Sequence, residues 1–100
     1  MRVNCPDAAV ADAISGALIV AKLAPCTNLQ GPLTSTYTWE GKVEREEEWV
    51  LWIKARAEAF DAIEALVRQH HSHEVPAILA LPVARMNDDY ARWVVDNAVD

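Results

Sequence analysis

The densest chemistry in the chain is the segment His70-His71-Ser72-His73. Neutral imidazole is a borderline ligand that suits copper, zinc and nickel. Three imidazoles within four residues could supply two ligands to one ion. The same segment closes a helical stretch, where histidines bond the last free carbonyls and sit well at the negative end of the helix dipole. Chelating sites ordinarily add further ligands with supporting partners behind them. The cluster alone therefore leaves capping and metal contact both open.

Other reactive groups are sparse. Cys5 and Cys26 are the only thiols. A thiolate selects Cu(I), whereas a reduced thiol packs as a small hydrophobe. Glu44, Glu46, Glu47 and Glu48 flank Arg45. They read either as hard oxygen ligands or as a solvated hairpin end whose charges discourage edge-to-edge pairing. Trp39, Trp49 and Trp52 can stack on a ligand ring or serve core and interface. No glycine-rich phosphate loop, His-Glu-x-x-His or Cys-x-x-Cys motif is present. Cysteine and histidine meet only in composition, which is weak support for a nucleophile, so no enzyme is expected.

Alternation and helical spacing define the elements that must carry these groups. Asp7 to Lys22 reads as a helix capped by Asp7, with Val10, Ile14, Ala17, Leu18 and Ala21 on one face and Pro25 beyond its end. From Cys26 the period changes, and Leu33–Trp39 is a β-branched, alternating strand with a bend or bulge at Gly31-Pro32. Glu40-Gly41 is a turn, and 42–54 is a second strand paired with the first. A helix over 58–69 lacks a cap but gathers Ala59, Phe60, Ile63, Leu66 and Val67 on one side. The unalternating run Ala77–Val83 predicts a central strand buried on both faces. Asn87 or Asp88 caps a last helix in which Tyr90, Trp93 and Val94 share a side. With Arg2–Cys5 as a first strand, the order is β-α-β-β-α-β plus a C-terminal helix, the ferredoxin-like α+β sandwich.

At 100 residues the chain supports a single unit over 1–100, and 52% apolar content with four tryptophans is a heavy load for its interior. The 42–54 strand ends with both faces apolar: Trp49, Leu51 and Ile53 on one, Val50 and Trp52 on the other. Right-handed crossovers put both main helices on one face of the sheet. The face bearing Val50 and Trp52 therefore calls for a second subunit. A net charge of −6 offers no basic patch for nucleic acid and no polybasic segment for anionic lipid. No stretch is long enough for a membrane span, and the first residues show no signal-peptide core. The expectation is a cytoplasmic protein with two reduced thiols.

Several segments together resemble the CutA family of divalent-cation tolerance proteins. They are Asn4-Cys5-Pro6-Asp7, Lys22-Leu23-Ala24-Pro25-Cys26, Tyr37-Thr38-Trp39-Glu40-Gly41-Lys42-Val43-Glu44, Ile53-Lys54, His70-His71-Ser72-His73-Glu74-Val75-Pro76 and Ala80-Leu81-Pro82. The resemblance implies a PII-like homotrimer of ferredoxin-like subunits, a cytoplasmic location, no catalysis, and a link to copper or another divalent cation. It puts the metal-associated pair on His70 and His71. A metal-associated cysteine of some family members falls two positions before Cys5, so that role does not transfer. The sequence departs from the family at Pro25, often Ala, and at His73, often Tyr. It also has fewer residues before Cys5 than the family's usual first strand, so that either a short first strand suffices or the start of the chain is lost or misassigned. The alternative is a PII-like signalling or scaffold trimer that holds a small molecule or protein partner in clefts between subunits. Position near the cleft ends singles out Tyr37, Trp39, Lys54, His73 and Glu74 for that role.

Overall fold

The computed structural model describes residues 1–99; Asp100, the last residue of the expected unit, lies outside the described residues. The elements are β1 (Arg2–Cys5), α1 (Ala8–Val20), β2 (Cys26–Trp39), β3 (Lys42–Lys54), a 3-10 turn (Ala57–Ala59), α2 (Phe60–His70), β4 (Ile78–Leu79) and α3 (Asp88–Asp96). The four strands form one antiparallel sheet in the order β2-β3-β1-β4. This is the expected α+β, ferredoxin-like βαββαβ arrangement with an added C-terminal helix.

The core follows from the two-residue period of β1 and β3. Val3 stands opposite Leu51 and Cys5 opposite Trp49. Val3, Cys5, Leu51 and Ile53 pack with Ala11, Ile14 and Leu18 of α1 and with Ile63 and Val67 of α2. Asp7 starts α1 by accepting the Val10 N–H at 2.8 Å. The helix stops at Val20 rather than Lys22, and Ala21, expected on the packed face, is exposed. The cause is Lys22, whose φ of 57° is left-handed. Its N–H reaches the Ile19 carbonyl while Leu23 N–H reaches Leu18, both at 3.1 Å, closing a Schellman end before Pro25 is met.

The β2–β3 hairpin is the longest feature. Glu40 (φ 50°) and Gly41 (φ 78°) form the two-residue turn between the Trp39–Lys42 pair, and positive φ at both positions is the signature of a type I′ turn. The pairing register shifts between Gln30 and Leu33, at Gly31-Pro32 as expected. A side chain at Gly31 would put its Cβ 2.8 Å from two atoms of the Trp49 ring, so that ring fills the space glycine leaves.

Three expectations are corrected. Ala77–Val83 is not a central buried strand: only Ile78 and Leu79 pair, with Val3 and Arg2 at the sheet edge, and Leu79, Leu81 and Val83 are exposed. The run finds only the short β1 to pair with, and Pro82 has no N–H to extend the ladder. Val50 is fully buried within one chain, whereas Trp52 is 37% exposed. Val50 lies between Asn4 and Gln30 on the flanking strands, while Trp52, Leu79, Leu81 and Val83 are among the apolar side chains left exposed. In α3 Tyr90 and Trp93 share a side as expected, stacking at 5.6 Å, and Val94 is the buried residue. Asn87 has the extended backbone of an N-cap, but its amide donates to Asp89 Oδ1 (2.6 Å) and no side-chain cap forms.

The Gly31–Trp49 contact gives a direct stability test. Gly31→Ala is expected to destabilise the fold by about 1–3 kcal/mol through overpacking, read by urea denaturation. Gly31→Ala paired with Trp49→Leu, which clears the ring, should recover part of that loss.

Candidate functional site

The link from α2 to β4 divides its histidines by their bonding. His70 is exposed, and its Nδ1 donates to the Leu66 carbonyl at 3.0 Å, because a carbonyl can only accept. That bond satisfies a carbonyl of the last helical turn and leaves Nε2 as the free lone pair. It is also the arrangement that orients a histidine ligand from behind. His71 is engaged at both nitrogens. Nε2–H donates to the Asn4 carbonyl at 2.6 Å, and Nδ1 accepts the His73 N–H at 3.1 Å. His71 therefore ties the link to β1, and the His73 ring packs edge-on against it at 4.8 Å.

This tie brings the link against the outer half of the hairpin. The resulting cleft, about 710 Å³, is lined by Asn4, Tyr37, Trp39, Glu44, Glu46, Glu48, Ser72, His73, Glu74, Val75 and Ala77. The register explains the set. Tyr37 pairs with Glu44, Ser35 with Glu46 and Leu33 with Glu48, so one face of β3 presents three carboxylates beside two aromatic rings of β2. Desolvation raises the Tyr37 phenol above its usual pKa, and a hydrogen bond to Glu46 and the charges of Glu46, Glu44 and Glu48 add to it.

Of the five residues expected near a cleft, Tyr37, Trp39, His73 and Glu74 meet here, and Lys54 does not. It lines a separate recess with Met1, Trp52, Ile53, Leu81, Pro82 and Val83. Beside that recess, Arg2 lies over the Trp52 ring at 5.6 Å, and Trp52 Nε1 donates to Gln30 Oε1 at 2.9 Å. The alternate carboxylates of β3 belong to the run that the sequence left open between cation ligands and a solvated hairpin end. Glu47 fits the solvated end, but Glu48 is 8% exposed, and no hydrogen bond or ion pair meets it among the described residues. The period-2 spacing of Glu44, Glu46 and Glu48 was the available signal. Among the described residues, no three His, Cys, Asp or Glu side chains come together closely enough to hold one metal ion.

Comparison with known proteins fits this architecture. The sequence model of the family described as CutA1 divalent ion tolerance protein matches residues 1–97. The chain belongs to the CutA1 family. A Thermus thermophilus relative, named divalent-cation tolerance protein CutA, is 37% identical over 95 residues, covering 95% of this chain and 92% of that protein. The Xenopus laevis protein CutA homolog is 39% identical over 94 residues, 94% of this chain and 62% of its own length. The chain spans about half the length of the mouse and human CutA proteins it matches. The solved Thermus thermophilus structure, a divalent cation tolerance protein (Cut A1), superposes with a TM-score of 0.95 at 36% identity, covering 98% of this chain and 95% of that one.

Relatives of this CutA1-family chain carry different compartment names, chloroplastic in Oryza sativa and periplasmic in Archaeoglobus fulgidus. No helix among the described residues is long and apolar enough to cross a membrane.

The thiols of this CutA1-family chain have different surroundings. Cys5 is buried, and desolvation, then the charges of Asp7 and Glu48, push its thiol up to about 11. It therefore stays protonated at neutral pH, a poor nucleophile and a poor soft ligand. Cys26 is half-buried and its Sγ lies 3.9 Å from the Thr27 carbonyl. A hydrogen bond with Cys26 is the main cause raising the Tyr90 phenol, and it joins the start of β2 to α3. At pH 8 the native protein is expected to release one equivalent of chromophore rapidly with a thiol-disulfide reagent, from Cys26. The second should appear only on unfolding. Equal rates for both thiols would contradict the assignment.

Proposed function

We propose that the chain acts without catalysis as a homotrimeric divalent-cation tolerance protein of the cytoplasm, binding copper or another divalent cation weakly. Membership of the CutA1 family supports the general role, as does the name of the Thermus thermophilus relative. The observation that carries the metal contact is His70, exposed, with Nδ1 anchored on Leu66 O and Nε2 free. Of the expected pair, His70 is the proposed ligand and His71 its neighbour in a supporting role, since both His71 nitrogens serve the backbone. The two free thiols favour a reducing compartment. The exposed Trp52, Leu81 and Val83 favour a trimer, as apolar surface of this kind ordinarily meets a partner.

A second reading is a PII-like signalling or scaffold trimer with ligands in clefts between subunits. The cleft at Tyr37, Trp39, His73 and Glu74 favours it. The carboxylates of Glu44, Glu46 and Glu48 argue against phosphate-bearing ligands there, because no lysine or arginine among the described residues lines that cleft to offset them.

Calorimetric titration with Cu(II) tests the metal assignment. His70→Ala is expected to weaken binding with little change in stability. His71→Ala should cost about 1–3 kcal/mol of stability, because the Asn4 carbonyl loses its partner. Copper affinity unchanged in His70→Ala would overturn the assignment. Light scattering at micromolar concentration is expected to give three times the 11.1 kDa of one chain, and a monomer mass would refute the trimer.

A further inference from the structure

Among the described residues, one buried side-chain nitrogen or oxygen lacks a hydrogen-bond partner, the Nε of Arg2. The half-buried guanidinium lies over the Trp52 ring at 5.6 Å, and no ion pair meets it among the described residues. Its surroundings are apolar. Arg2 stands in register with Trp52 on β3 and Leu79 on β4, both exposed, and Leu81 and Val83 follow. This is the surface that a trimer would cover. Covering it with apolar groups alone would leave a desolvated positive charge unpaired, which is costly. The covering surface must therefore bring an acceptor.

The distribution of charge says where that acceptor comes from. Leu51 and Ile53 face the helices, so Lys54, Trp52, Val50, Glu48, Glu46 and Glu44 share the opposite face of β3. Arg2 and Lys54 make one end of this face positive, and the three glutamates make the other negative. Within one chain the two ends do not meet. Glu46 lies six positions before Trp52, roughly 20 Å at about 3.3 Å per residue. Between two copies they can meet. Like ends laid together repel, whereas a head-to-tail contact sets the acidic end of one copy on the basic end of the next. Such a contact is heterologous and closes into a ring when its rotation allows. Of the three carboxylates Glu46 is the exposed one. A guanidinium matches a carboxylate through two parallel N–H bonds.

We propose that Arg2 completes its bonding across the subunit interface, its guanidinium pairing with Glu46 of a second copy of this chain in a head-to-tail contact. The pair rests on the trimer reading above and gives it a direction. Each subunit offers its hairpin carboxylate to one neighbour and its Arg2 to the other.

The test is sedimentation equilibrium of the full chain, with urea added in steps to bring dissociation into range. It compares the wild type with Arg2→Met, Glu46→Gln, Arg2→Glu, Glu46→Arg and the double reversal, and circular dichroism checks that each variant is folded. Arg2→Met and Glu46→Gln are each expected to raise the dissociation concentration about tenfold, the scale of a hydrogen bond to a charged group. An Arg2 that is unpaired in the assembly predicts the opposite sign, because Arg2→Met would then remove a stranded charge and tighten it. Arg2→Glu and Glu46→Arg should each weaken assembly further, by setting like charges together. The double reversal should restore it, since it rebuilds the pair with the signs exchanged. A wild-type trimer that Arg2→Met leaves unchanged or tightens overturns the pair and leaves the trimer standing. So does a double reversal no better than the single ones. A monomeric wild type overturns both.

Discussion

The short ladder between β1 and β3 sits at the centre of the sheet, with Val3 opposite Leu51 and Cys5 opposite Trp49. Only four residues of β1 take part, yet both faces of the molecule are fixed by their register. On one side Val3 and Cys5 join Leu51 and Ile53 beneath α1 and α2. On the other, Asn4 lies beside Val50 and leads into the cleft. A slip of one residue would send the apolar set to the open face and Arg2 and Asn4 into the core. The fold tolerates so short a strand because it is paired on both edges, with β3 along its whole length and with β4 at Arg2 and Val3.

The link after α2 inherits its position from the same ladder. His71 reaches 67 positions back along the chain to the Asn4 carbonyl, and its other nitrogen holds the His73 N–H. One imidazole thus fixes where β4 begins, where Glu74 lies and how wide the cleft opens. Histidine suits this task because, in one neutral tautomer, it donates at one nitrogen and accepts at the other. Its neighbour His70, one residue earlier and still on the helix, bonds within its own last turn. Adjacent, identical side chains therefore do different work, and the backbone groups around them decide which.

This division marks what a sequence can disclose here. Period and turn chemistry revealed the strand order, the Glu40-Gly41 turn and the interruption at Gly31-Pro32, because each is written in neighbouring residues. The end of α1 was not legible in that way, since Lys22 is not a residue type that advertises a left-handed position. Nor was the fate of Ala77–Val83: an apolar run reads the same whether it is central or at an edge awaiting a partner, and its place depends on how much strand remains free in β1. The roles of His70 and His71 were equally hidden, as both turn on carbonyls distant or helical that no local pattern specifies. The acidic ladder was visible as spacing, but the low exposure of Glu48 was not, because it depends on tertiary packing around β3.

Glu48 connects the two sides of the sheet electrostatically as well. Its charge contributes to raising the Cys5 thiol on the helix-covered face and the Tyr37 phenol in the cleft. Desolvation is the larger cause at both, so Glu48 adds to environments that already disfavour negative charge. The consequence is a region in which successive anions oppose one another: a thiolate at Cys5 or a phenolate at Tyr37 would form beside an existing carboxylate. Proton loss is suppressed on both faces by burial first and by the Glu48 charge second.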